Sequence, residues 1–190
     1  MSHEAPPLRA DANRNRGAII GAASTVFASS GLNVTLESIA RTAGVGVGTI
    51  YRRFPTIEDL VGVVFDDKMS RFADRAEQAA EDARTRPWDA FSEYVHFVLE
   101  EQADDFAFSD VLLSASRCTA LFPAQAERGS RASHLLVERA KSAGVLRPDF
   151  VHADLELLMN ANAGIIRTSP EASRRFADYM LKAFRAPDAG

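Results

Sequence analysis

In the stretch Ile39-Ala40-Arg41-Thr42-Ala43-Gly44-Val45-Gly46-Val47-Gly48-Thr49-Ile50-Tyr51-Arg52-Arg53-Phe54-Pro55-Thr56, two short apolar patterns flank a glycine-containing turn. Ile39 and Ala40 lead into Gly44, while Ile50 and Phe54, four residues apart, share one face of a second short helix that Pro55 stops. Upstream, Thr35 stands where an N-cap belongs, with Glu37 in the first turn, so a helix of two turns runs from there to Gly44. Before it, Ile19, Ile20, Ala23 and Phe27 recur at helical spacing over residues 13–30, and Gly31 follows as a left-handed C′ residue. Two short helices joined by a tight turn and packed on a preceding helix are the layout of a helix-turn-helix. That layout requires Ile39, Ala40, Ile50 and Phe54 to bury against Ile20, Ala23 and Phe27. The opposite face of the third helix, with Val47, Thr49, Tyr51, Arg52 and Arg53, is then free to enter a DNA major groove. Its methyl, hydroxyl and guanidinium groups suit base edges and phosphates.

Downstream the chain continues to read as helix. Thr56 caps a long fourth segment, past Ala80, whose apolar stripe is Leu60, Val61, Val64, Phe65, Met69 and Phe72. Trp88, Phe91, Tyr94, Val95, Val98 and Leu99 mark a fifth, and Val111, Leu112 and Ala115 a sixth. Pro123 opens a seventh that ends near Gly144. An eighth covers residues 152–166, with Leu155, Leu158, Met159 and Asn162, and a ninth, opened by the Ser169 cap and Pro170, carries Phe176, Met180 and Phe184. The expected fold class is all-α with about nine helices, no internal repeat and no strand. The first eight and last four residues are expected to be mobile.

Composition agrees. The 190 residues are 46% hydrophobic and 25% charged, as in a soluble protein of one domain or two small ones, which excludes collagen, wholesale disorder and a disulfide scaffold. No apolar stretch approaches the roughly 20 residues that span a bilayer. The start is polar, with Pro6 and Pro7 and no apolar core of a secretory signal, so a cytoplasmic location is expected. The single cysteine, Cys118, fits a reducing compartment.

Charge is unevenly spread. The formal net charge is -4, yet residues 9–53 hold six basic residues (Arg9, Arg14, Arg16, Arg41, Arg52, Arg53) against Asp11 and Glu37, while residues 54–190 hold 16 basic and 23 acidic ones. One end can face phosphate and the other cannot. Arg14 and Arg16 are read equally as a solvated tail or as a phosphate-contacting arm.

The quoted stretch closely resembles the DNA-binding signature of the tetracycline-repressor (TetR) family, as do residues 22–31 ahead of it; the specific motif covers residues 13–60. Residues 140–149, AKSAGVLRPD, look like a connection common in the C-terminal domains of that family. The resemblance implies a DNA-binding domain over residues 9–56 and a ligand-binding and dimerisation domain over 57–186. It implies that Thr35 and Tyr51 touch phosphates, that Gly46, Val47, Thr49 and Arg52 lie at or near base edges, and that Arg53 reaches the backbone. Family members often carry Ser, Lys and Lys where this chain has Gly46, Val47 and Ile57. Two usual phosphate contacts are therefore missing; Arg52, Arg53 or the Arg14 and Arg16 arm would replace them, and Val47 would meet a thymine methyl.

The expected function is a transcriptional repressor that leaves a pseudo-palindromic double-stranded operator when a small, largely apolar effector binds. The effector would contact some of Trp88, Phe91, Tyr94, Leu112, Phe122 and Met159, with Tyr94, Ser116, His134, Asn160 and Asn162 supplying oriented hydrogen bonds. A homodimer is expected, joined by the last two helices through the Leu155, Leu158, Met159, Asn162 stripe and the Phe176, Met180, Phe184 stripe. Neither a cofactor, a metal, a catalytic residue nor a membrane partner is expected. Gly44, Gly46 and Gly48 match no nucleotide fingerprint, and Glu93, His96 and Glu100, on one helical face, read as a solvated face rather than a metal site. The alternatives are a helical enzyme with its pocket in the C-terminal domain, and a DNA-binding adaptor without an effector.

Overall fold

The computed structural model describes residues 7–187, with side chains from residue 14 onward. Ten helices follow one another: α1 (Pro7–Ser30), α2 (Leu36–Ala43), α3 (Val47–Arg53), α4 (Ile57–Asp82), α5 (Pro87–Asp104), α6 (Phe106–Leu113), α7 (Ala115–Leu121), α8 (Pro123–Ser142), α9 (Ala153–Ile166) and α10 (Ala172–Phe184). Among the described residues the β-type pairing is one isolated antiparallel bridge, Leu146 with Arg185. No helix among them is long and apolar enough to cross a membrane.

The expected sixth helix is two helices, α6 and α7. Ser114 divides them: its backbone amide donates back to Val111, closing α6, and its hydroxyl accepts from the amide of Arg117, opening α7. The first helix also begins earlier than its apolar stripe suggests, so Arg14 and Arg16 lie within α1 rather than on an arm before it. The mobility expected of the chain ends falls mostly outside the described residues; Pro7 and Leu8 are helical. At the last helix, Ser169 makes no side-chain cap. Its hydroxyl donates to Glu171 at 2.5 Å, and α10 starts at Ala172.

The chain divides into two compact units, one reaching to Asp66 and one starting at Asp67, so the division falls within α4. In the first unit, Ile19, Ala23, Phe27, Ile39, Ala40, Ile50, Phe54, Leu60, Val61 and Phe65 are buried, and the rings of Phe27 and Phe65 stack at 6.0 Å. Gly31 and Gly44, at φ 69° and 67°, end α1 and α2 in the left-handed conformation that strains residues with a Cβ. A reciprocal cap starts α4: the Asp59 amide donates to the Thr56 hydroxyl at 3.1 Å, and the Thr56 amide donates to the Asp59 carboxylate at 2.9 Å.

In the second unit, α5 is the central helix. Its Ala90, Phe91, Tyr94, Val95, Val98, Leu99 and Gln102 are all buried. Phe91 meets Phe150 edge-on at 5.6 Å, and Phe150 meets Phe184 at 4.9 Å. A polar network crosses this core. Gln102 donates to Ser109 (3.1 Å) and to the Met159 carbonyl (3.2 Å), Asn162 donates to Gln102 (3.2 Å) and to the Leu99 carbonyl (3.3 Å), and Ser173 donates to Asn162 (2.8 Å). It ties α5, α6, α9 and α10 together with every member bonded.

The stripes expected to join two copies mostly face this core. Leu155, Leu158, Asn162 and Phe184 are buried, and Met159, Phe176 and Met180 pack against the same cluster. The exposed side of α9 carries Leu157 (67% exposed), Ala161 and Gly164 instead, and α10 exposes Tyr179 (61%). On α9 apolar residues occupy two faces, and the period alone does not say which of them packs inside the chain.

Candidate functional site

Two features concentrate recognition groups, one in each unit. In the first, Ile50 and Phe54 pin α3 by its buried face, which turns Val47 (47% exposed), Tyr51 (43%), Arg52 and Arg53 outward. Thr49 is half-buried. Gly46 is the N-cap of α3 and Thr35 that of α2; the Thr35 hydroxyl accepts from the Ser38 amide at 3.3 Å. The seven residues expected to meet DNA therefore sit on or beside the exposed side of the α2–turn–α3 segment. The Tyr51 hydroxyl donates to the Glu37 carboxylate at 2.5 Å, fastening α3 to the start of α2. That hydrogen bond holds Glu37 below the usual carboxylate range and raises Tyr51.

In the second unit a cavity of about 270 Å³ opens between α4, α5 and the helices from α6 to α9. Met69, Phe72, Val95, Val98, Leu112, Leu155, Leu158 and Met159 make its wall apolar. Tyr94 lines it while nine-tenths buried, and burial raises its pKa, so the phenol is a hydrogen-bond donor at any ordinary pH. Ser133 and His152 contribute the other main polar group, with Oγ and Nε2 2.8 Å apart. The Ser133 hydroxyl also lies 3.0 Å from the Ser130 carbonyl, which can only accept. With both contacts made, the serine proton goes to Ser130 and His152 Nε2–H donates to Ser133. The His152 ring stacks on His134 with centroids 3.4 Å apart; burial first, then His134, lowers its pKa, against a smaller raising effect of Glu156.

This serine and histidine do not assemble a nucleophilic site. Ser133 lies in the middle of α8, where backbone amides are committed to the helix, and among the described residues nothing orients Nδ1 of His152. Nor do Glu93, His96 and Glu100 converge. Glu93 pairs with Arg75 and Arg86, His96 with Asp178, and Glu100 with Arg174.

Residues 19–64 match the family described as bacterial regulatory proteins, tetR family. The TetR transcription regulatory protein from Mycobacterium vanbaalenii is similar at 30% identity over 95% of this chain and 100% of that one, with a TM-score of 0.54. A TetR transcriptional regulator from Streptomyces coelicolor is likewise 30% identical, over 92% of this chain and 99% of that one, with a TM-score of 0.51. The chain belongs to the TetR family. The transcriptional regulator FadR from Bacillus subtilis, crystallised with stearoyl-CoA, shares the fold at 18% identity, 89% and 99% coverage and a TM-score of 0.62. No curated protein matches the chain.

This TetR protein brings only some of the residues expected at an effector into one place. Tyr94, Leu112 and Met159 line the cavity; Trp88, Phe91 and Phe122 do not. Phe91 and Phe122 are core residues, and the Trp88 ring lies under the Arg185 guanidinium at 4.9 Å. Of the expected polar groups, Asn162 belongs to the buried network, Asn160 donates to the Glu156 carbonyl, and Ser116 is exposed. Sequence reasoning missed Ser133 and Gln102, while His152, read from sequence with His134 as a surface or pocket residue, does line the cavity. Ser133 stands one residue before His134 on a helix whose buried face is marked by Leu136 and Ala140, three and seven positions on, and that spacing was the available signal.

Proposed function

We propose that this TetR-family regulator is a repressor that holds a pseudo-palindromic operator as a homodimer and releases it when a small molecule enters the second unit. The observation carrying this reading is the pairing of an exposed α3 surface, set on a buried apolar platform, with an apolar cavity that has the Tyr94 phenol in its wall. On α3, Val47, Thr49 and Arg52, with Gly46, address base edges, and Thr35, Tyr51 and Arg53 address phosphates. The local excess of positive charge over residues 9–53 supports the same face. Two copies join through α9 and α10, using the exposed Leu157, Ala161, Gly164 and Tyr179, and two-fold symmetry then dictates two half-sites.

The cavity supports an effector as it supports none of the alternatives. An adaptor without an effector has no use for an apolar cavity with a phenol in its wall, and a catalytic pocket needs groups that Ser133 and His152 lack. A ligand that prefers the non-binding conformation by about 1–3 kcal/mol weakens operator affinity roughly 5- to 150-fold.

Selection of bound fragments from the source genome, followed by salt titration of the recovered duplex, tests the reading. Arg52→Ala is expected to cost on the order of 1–3 kcal/mol and to relax preference at the base it reads, whereas Arg53→Ala weakens all sequences alike. Salt-insensitive binding, or equal affinity for every fragment, overturns it. Light scattering at 20.7 kDa with single half-site occupancy overturns the dimer.

A further inference from the structure

The walls of the cavity specify their ligand more narrowly than "small and apolar". Tyr94 comes from α5 with its ring packed against Phe72 and Phe97, both centroids 6.5 Å away. The residue is nine-tenths buried and lines the cavity, and its hydroxyl has no hydrogen-bond partner among the described residues. A donor shielded from bulk water in this way gains from an acceptor placed in the cavity. Met69, Val95, Val98, Leu112 and Leu158 line the same cavity with hydrocarbon, so the acceptor arrives on a mostly apolar body.

Charge is excluded by what the cavity lacks and by what its neighbours already hold. No lysine or arginine is among its described lining residues, and the one carboxylate, Glu156, is exposed. Three cations of the adjoining helices are engaged elsewhere. Lys68 lies 3.2 Å from both Glu101 and Asp105; Arg75 pairs with Glu93 and lies over the Phe97 ring; Arg128 bridges Asp74 and Glu77. His152 is held toward its neutral form by burial and by the stacked His134. An anion entering here would lose its water and gain no counter-charge. The volume, about 270 Å³, is below the usual ~300–1,000 Å³ range of ligand pockets, which restricts the occupant to a compact one.

From these contacts we infer that the cavity takes an uncharged, compact, mainly hydrocarbon molecule bearing a carbonyl or similar oxygen that accepts from the Tyr94 hydroxyl, and that it rejects carboxylates and phosphates. This rests on the effector reading above and gives that effector its chemical class.

Three probes of one shape separate the possibilities: methyl naphthyl ketone, isopropylnaphthalene and naphthoate, titrated calorimetrically into the full chain without DNA. The ketone is expected to bind roughly 3- to 10-fold more tightly than the hydrocarbon, with naphthoate weakest. In Tyr94→Phe, which keeps the ring and its packing, the ketone falls to the affinity of the hydrocarbon while the hydrocarbon keeps its own. Naphthoate binding as tightly as the ketone, a ketone advantage that survives in Tyr94→Phe, or no binding of any probe up to its solubility overturns the inference; the wild-type ranking decides even if the variant does not fold. Operator affinity measured with and without saturating ketone is read separately. Unchanged affinity beside an intact ketone preference supports the ligand class and removes the effector role.

Discussion

The two units use burial in opposite ways. In the first, burial is a platform: Ile39, Ala40, Ile50 and Phe54 are sequestered so that the other side of α3 is displayed. Nothing that addresses the partner needs to be inside. In the second, the recognition groups are themselves part of the interior. Tyr94 and Ser133 are buried, and the cavity they line is bounded by side chains that also hold the helices together. Recognition and stability are therefore separable in the first unit and entangled in the second.

That contrast can be broken by cutting each unit at its most buried point. Ile50→Ala removes a fully buried side chain from the platform, and a stability loss of about 2–5 kcal/mol is expected by chemical denaturation, with operator binding lost as α3 detaches. Arg52→Ala, on the displayed side, should leave the denaturation midpoint unchanged while it alters binding. In the second unit, Asn162→Ala removes the residue between Gln102 and Ser173, leaving Gln102 Oε1 without its donor and Ser173 with the Leu99 carbonyl alone, for a loss of about 1–3 kcal/mol. If probe affinity in the cavity survives that change undiminished, interior and site are less entangled than the network suggests.

A pH titration sharpens the comparison more gently. His152 has a folded pKa below its ordinary 6.5, so as pH falls the unfolded chain takes up that proton first. The stability tied to the neutral ring is present above pH 6.5, declines as pH drops through it, and stops declining once the folded ring is charged too. Melting temperature measured from pH 8 to pH 5 should fall in this window for the wild type and fall less for His152→Gln. No difference between them would show that the histidine stack contributes nothing.

What could be read from sequence follows the same division. Displayed faces obey helical spacing, so Ile50 and Phe54 on one side and Val47, Tyr51 and Arg52 on the other were legible, as were the stops and caps at Gly31, Thr35, Gly44 and Thr56. Interior function depends on how far each helix is rotated against its neighbours, which spacing does not encode. Trp88 and Phe91 share the α5 stripe with Tyr94, yet only Tyr94 reaches the cavity. Gln102 finds its partner, the Met159 carbonyl, only on α9, 57 residues later in the chain. The break at Ser114 was hidden because serine is tolerated on either side of a helix end.

The contact between Tyr51 and Glu37 gives the DNA-facing surface an internal competitor. A phenol carries one hydrogen, and here a carboxylate already accepts it at 2.5 Å. Phosphate oxygens, like carboxylate oxygens, only accept. If Tyr51 serves a phosphate as proposed, docking is a swap of one anion for another at this oxygen, and the displaced Glu37 is left beside the strand it has yielded to. The surface then repels a poorly placed backbone and accepts one that arrives at the right height, which makes the acid a gauge of register as well as a tether.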